Sequence, residues 1–185
     1  MKKSKRLILG GAVLAVSVGL LFAVATLLSA QDPNAADHDF ASVKTIATSP
    51  VNVGSAQLVR NNNGITCVIH TSGLVPGDVY TVWWVIPDES LIFNATGGIS
   101  GGDGTATFAG HASTGPVGPV DGSVVLSNGD GSFDQPRTDT VIVIIRHHGP
   151  PIPGMINQQT GTFNFGCGAG GCKNVQKATF MPDAL

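Results

Sequence analysis

Beyond residue 40 the chain alternates short apolar runs with clusters of Gly, Pro, Asn, Asp and Ser. The spacing is roughly 8–15 residues, the mark of a β-sandwich or barrel. The clearest hairpin joins Ala56–Arg60 to Ile65–Thr71 through Asn61-Asn62-Asn63-Gly64. An Asn-Gly pair supplies the positive φ angles that tight hairpin turns need. Val79–Ile86 is rich in β-branched and aromatic residues, which favour strands. Thr105–Ala109, Ser123–Leu126, Thr140–Arg146, Thr160–Phe165 and Val175–Phe180 read as further strands. Glycine-rich turns at 101–104 and 128–131, and Gly149-Pro150-Pro151, separate them. No internal repeat is visible.

Period-two alternation assigns faces. Ile65, Cys67 and Ile69 share one side of their strand; Thr66, Val68 and His70 share the other. If Tyr80 points inward, so do Val82, Trp84 and Ile86, and Thr81, Trp83 and Val85 face outward. An outward Trp83 is either covered by another segment or bare. If bare, Trp83, Val85 and Thr81 form a ligand or assembly surface for a protein or a glycan. Thr140–Arg146 is apolar on both faces, so part of this sheet is covered or meets a partner.

The first thirty residues follow a different rule. Lys2, Lys3, Lys5 and Arg6 precede an unbroken run of apolar and small residues from Leu7 to about Ala30. A basic start followed by an apolar segment is an export signal. The run also reaches the roughly 20 residues that cross a bilayer. Two outcomes stay open: cleavage after Ala30, or retention as a signal-anchor helix through residues 7–30. Either places the rest outside the cytoplasm, secreted or tethered to the outer face of the membrane. Residues 31–40 read as a linker, and residues 41–185 as one β-domain.

Four of the ten basic residues lie in the leader, and none of the twelve acidic ones does. The remainder holds six basic against twelve acidic side chains, a net −6 rather than the −2 of the whole chain. Nucleic acid is excluded as a partner, because it demands clustered Lys and Arg.

The three cysteines are Cys67, Cys167 and Cys172. In an exported chain an odd count leaves one thiol over. Cys167 and Cys172 could close a local disulfide ring around Gly168–Gly171, leaving Cys67 buried and free. Alternatively, Cys67 bridges to one of them, or the Cys-x4-Cys pair holds a metal.

Leu74-Val75-Pro76-Gly77-Asp78-Val79-Tyr80 resembles the tyrosine corner of immunoglobulin-like and fibronectin type III domains. There the tyrosine hydroxyl bonds the backbone a few residues upstream. Pro76 and Gly77 make the bend and Tyr80 pins it. The resemblance implies an immunoglobulin-like Greek-key β-sandwich and no particular activity. The wider set Tyr80-Thr81-Val82-Trp83-Trp84-Val85, His148-Gly149-Pro150-Pro151-Ile152-Pro153-Gly154 and Gly166-Cys167 resembles a group of secreted bacterial β-sandwich proteins with no assigned activity. Many members carry cysteines in the loop after the Trp-Trp strand; here Pro87–Phe93 has none.

Five histidines stand at 38, 70, 111, 147 and 148. Neutral imidazole ligates copper and zinc, and strand pairing could gather His70, His111 and His148 into a metal site. Gly98-Ile99-Ser100-Gly101-Gly102 matches a nucleophile-elbow pattern, but a turn and a strand follow it where the elbow needs a helix. Asn128–Asp134 has spaced oxygen ligands, yet Phe133 stands where a calcium loop needs glycine. Asn94-Ala95-Thr96 is a glycosylation sequon. The reading is an exported, non-catalytic module for surface binding or assembly. A copper- or zinc-binding protein is the alternative, and a hydrolase a distant third.

Overall fold

The computed structural model describes residues 35–117 and 131–182. The leader, the Ser123–Leu126 strand and residues 128–130 of the calcium-like loop lie outside them. The body is all-β. Its strands are β1 (Asp37–Thr45), β2 (Asn52–Asn61), β3 (Gly64–Thr71), β4 (Val79–Ile86), β5 (Leu91–Ile99) and β6 (Ala106–Ser113), then β7 (Gly115–Pro116), β8 (Ser132–Phe133), β9 (Val141–Gly149) and β10 (Lys173–Phe180). A single helical turn spans Pro87–Glu89, and one short helix, α1, spans Ile156–Gly161.

Eight strands share one antiparallel sheet in the order β5-β4-β9-β10-β1-β2-β3-β6; β7 and β8 pair separately. The expected immunoglobulin-like sandwich therefore finds no support, because its two faces would belong to two sheets. Here one sheet curls until its end strands nearly meet. A side chain at Gly110 of β6 would sit 3.1 Å from the Ala95 side chain of β5. The side chains turned into the curl form one core, including Leu58, Ile69, Tyr80, Val82, Trp84, Phe108, Val143 and Phe180.

The bend at Pro76-Gly77 is pinned by Tyr80. The Tyr80 hydroxyl accepts a hydrogen bond from the Val75 amide at 2.8 Å. The hairpin of β2 and β3 is in register from Gly54↔Thr71 to Asn61↔Gly64. Three expectations change. β1 begins at Asp37, inside the stretch read as a linker, because its side chains alternate: His38, Phe40 and Ser42 are exposed, while Asp39 turns the other way to reach the buried Arg60. β5 occupies what read as a loop. Thr160–Phe165 is not a strand; it is the end of α1 and the irregular chain after it.

One end of the curl holds a buried charge cluster. Arg60 is 1% exposed. Its Nε pairs with the Asp39 carboxylate, and one Nη donates to the carbonyls of Pro136 and Asp139 at 3.3 and 2.5 Å. The Asp139 carboxyl is pushed up to about 7, first by burial and then by the charge of Glu89. Glu89 is itself fixed by the amides of Asp134 and Gln135, each at 2.7 Å. The folded protein thus holds a proton on Asp139 that the unfolded chain, with an ordinary carboxyl near 4, releases. That contribution to stability is complete below about pH 4 and is lost as pH rises through about 7. The unfolding midpoint of the wild type, measured against that of Asp139→Asn, is expected to fall between about pH 4 and pH 7 and to level off above. A difference that stays flat over this interval would show a carboxyl with an ordinary pKa, already ionised in the folded protein.

Candidate functional site

β4 is buried on both faces. Its outward side chains are covered by residues 150–172, a cap that leaves β9 at Gly149 and rejoins the sheet at β10. Gly149 has φ +89° and lies against the backbone of Gly168. In the cap, α1 packs on β4 and β5. Gly97 of β5 makes room for it, since a Cβ there would stand 2.7 Å from Thr160. Gln159, fully buried, holds the cap together. Its amide nitrogen donates to the carbonyls of Pro150 and Gly166, and its oxygen accepts from the Ile152 amide. The Cys167–Cys172 disulfide closes the returning turn, with Cα atoms 5.1 Å apart. The local ring is the pairing present, and Cys67 is a free, buried thiol.

Under the cap a polar chain runs across β4 and β9. Trp83 Nε1 donates to the Thr81 hydroxyl at 2.7 Å. Thr81 Oγ1 lies 2.9 Å from His148 Nε2, and His148 Nδ1 lies 3.1 Å from the Phe165 carbonyl. Every donor has an acceptor if the Thr81 hydroxyl donates to Nε2 and Nδ1 carries the ring proton to Phe165. Burial holds the His148 imidazole below its ordinary range, so the ring is neutral. Beside it Arg146 spreads its guanidinium over the Phe163 ring, 4.0 Å from the centroid. Its nitrogens donate to the Phe163 carbonyl and to the Asn174 and Asn164 side chains. Phe163 meets Trp83 edge-on with centroids 5.0 Å apart.

These positions correct two expectations. Trp83 and Thr81 are 0% exposed, and Val85 is half-buried, so the three are not an open ligand or assembly surface. The cap covers them. Nor do His70, His111 and His148 converge. His70 bonds Thr107, and His111 bonds Thr66 and Ser113, on the exposed face of β3 and β6. The pairs His70↔Thr107 and Thr66↔His111 are four residues apart along that ladder, roughly 13 Å. His148 is buried on β9 instead, beside a partner set that the histidine spacing did not suggest. Its ring, Cys167 and Cys172 offer donor atoms within 4.8 Å of one another.

Ser100 is buried, and its hydroxyl donates to the Val75 carbonyl at 2.6 Å. The sequon residue Asn94 donates through its side-chain nitrogen to the Thr160 carbonyl of α1.

The opposite part of the sheet is open. On the outer face of β1, β2, β3 and β6 the register sets Ser42, Ser55, His70 and Thr107 in one row, and Phe40 and Gln57 in the next. Phe40 is 76% exposed. A groove of about 640 Å³ lies here, lined by Asn52, Ser55, His70, Thr105 and Thr107 among others, with no Asp, Glu, Lys or Arg in its wall. Gly54 is among its lining residues, and a Cβ there would stand 2.0 Å from the His70 carbonyl oxygen. Among the described residues no helix is long and apolar enough to cross a membrane. Comparison with protein-family models, curated proteins and solved structures gives no match to this chain.

Proposed function

We propose that this chain is an exported, non-catalytic β-protein that binds a neutral, hydroxyl-rich chain, a glycan, on the open face of β1, β2, β3 and β6. Export rests on the basic and apolar leader. The observation that carries the binding reading is the uncharged groove beside the bare ring of Phe40. A sugar presents an apolar face and a rim of hydroxyls. Phe40 offers a ring to the first, as aromatic side chains do at binding surfaces. Ser55, Gln57, His70 and Thr107 offer donors and acceptors to the second. The wall itself carries no formal charge, with Lys44, in register with Asn52, at its margin, so recognition inside the groove falls to neutral donors and acceptors. The His70–Thr107 bond, at 2.9 Å, holds the imidazole in place before a ligand arrives, which lowers the entropy cost of binding.

The test is affinity electrophoresis through gels containing soluble β-glucan, xylan or α-glucan, with an anionic glycan as control. The wild type is expected to be retarded by at least one neutral polymer. Phe40→Ala, a surface change that leaves the core intact, is expected to weaken that binding about tenfold, or ~1.4 kcal/mol. Unretarded migration in every neutral gel overturns the reading. So does a Phe40→Ala/His70→Ala double variant that binds as the wild type does.

A further inference from the structure

We infer that His148, Cys167 and Cys172 form a redox-gated site for a thiophilic cation, Cu(I) or Zn(II), closed while the disulfide stands and open once it is reduced. The geometry supplies the ligand set. Cys172 Sγ lies 3.2 Å from His148 Nδ1, and one donor atom from each of the three residues falls within 4.8 Å of the others. Two sulfurs and one imidazole nitrogen match the soft or borderline preference of these ions. His148 is held rigidly on β9, while the cysteines flank an exposed turn, Ala169-Gly170-Gly171. A cation can therefore reach the sulfurs from solvent and find the nitrogen behind them.

Opening the site is thiol–disulfide exchange. A thiolate of an external dithiol attacks one sulfur, the Cys167–Cys172 bond breaks, and a mixed disulfide forms. The reductant's second thiol resolves it. The reductant leaves as a disulfide, two electrons poorer, and the protein gains two electrons and two protons as two thiols. Binding the cation then releases those protons. The ring must also present a bare Nδ1. In the closed state Nδ1 carries the proton, bonded to the Phe165 carbonyl. In the loaded state the proton sits on Nε2 and is donated to Thr81 Oγ1, which already lies 2.9 Å away. The hydroxyl of Thr81 turns from donor to acceptor, so Thr81 positions the ligand through its second nitrogen, as outer partners of metal-bound histidines do. The third cysteine stays out of this chemistry: Cys67 is buried on β3 and its thiol is pushed up to about 12.

The experiment uses the full chain. A water-soluble phosphine reduces the disulfide, its phosphorus taking oxygen from water, and is then removed without air. Co(II), a coloured stand-in for Zn(II), is titrated in one arm, and Cu(I) is titrated against a chromophoric chelator in the other. The reduced protein is expected to bind one equivalent in at least one arm, with thiolate-to-Co(II) charge-transfer absorption in the first if that ion binds. The oxidised protein is expected to bind none. Cys67→Ala is expected to keep the stoichiometry. Cys172→Ser, which removes one sulfur, and Thr81→Val, which removes the outer hydrogen bond, are each expected to weaken binding at least tenfold (~10-fold for the outer partner). Near-ultraviolet circular dichroism checks that each protein stays folded.

Failure of the reduced protein to bind in both arms overturns the site. Equal binding by oxidised and reduced protein overturns the gate. Unchanged affinity in Cys172→Ser, or the same affinity in urea as in buffer, shows the folded constellation is not the ligand. Glycan binding on the far face is unaffected by any of these outcomes, so the two readings fail separately.

Discussion

Trp83→Ala is expected to lower the free energy of unfolding by roughly 3–5 kcal/mol, the range for deleting a large buried aromatic. The ring is fully buried between β4 and the cap. Its removal leaves a void under Phe163, takes the donor from Thr81, and takes away the edge contact that steadies the Phe163 ring on which the Arg146 guanidinium is stacked. The loss is expected to fall on the cap first. Amide hydrogen exchange in 150–172 should accelerate more than in β2 and β3, because the strands keep their ladder when the cap loosens. Urea unfolding followed by far- and near-ultraviolet circular dichroism measures the total. A cost below about 1 kcal/mol, the size of an ordinary surface change, would show that the cap does not rest on this ring. Trp83→Phe should fall between the two, keeping much of the volume but leaving Thr81 without its donor.

Arg60→Met is expected to be equally severe, at roughly 3–5 kcal/mol, as when one partner of a buried ion pair is removed. Methionine fills much of the space. What it cannot do is answer the Asp39 carboxylate or the carbonyls of Pro136 and Asp139, which the guanidinium now joins to β2. The double change Arg60→Met/Asp39→Leu should recover a large part of the loss, since two apolar groups leave no charge stranded. Thermal unfolding of the two variants decides it. If the double variant is no better than the single, the carbonyl contacts and not the ion pair carry the effect.

How far the sequence could be read depended on whether a residue's reason for being there was local. β2 and β3 announce themselves by alternation on either side of an Asn-Gly turn, β4 by its run of β-branched and aromatic residues, and the Val75–Tyr80 bond by the six consecutive positions that include Pro76-Gly77. β5 does not, because Gly97 and Gly98 look like a turn. They are strand residues: Gly97 is small because α1 presses on it, and Gly98 lies 3.6 Å from the Phe108 ring. That pressure comes from distant parts of the chain. The same holds for strand order. Placing β9 beside β4 and β10 beside β1 is a long-range choice, and a tyrosine corner, which secures one arch, does not specify it. The burial of Trp83 turned on what lay above it. The covering segment carried Gly, Pro and Cys around a stretch, Thr160–Phe165, whose alternation read as a strand, so its course over β4 was not visible. His148 was singled out for its residue type. Its actual neighbours, Cys167 and Cys172, were read as a local ring, a bridge to Cys67 or a metal pair, with nothing to link them to His148, and only folding brings the three together.

A sheet with free margins offers its unpaired amides and carbonyls to any neighbour with a strand to lend. Here the two margins, β5 and β6, turn toward each other, with Gly110 set against Ala95. Each shields the other, and the glycines along them give a steric zipper little to grip. Growth by strand addition, whether into a swapped dimer or a fibril, therefore finds no ready template along these two margins of the eight-stranded sheet, and concentrated solutions are expected to remain dispersed rather than gel.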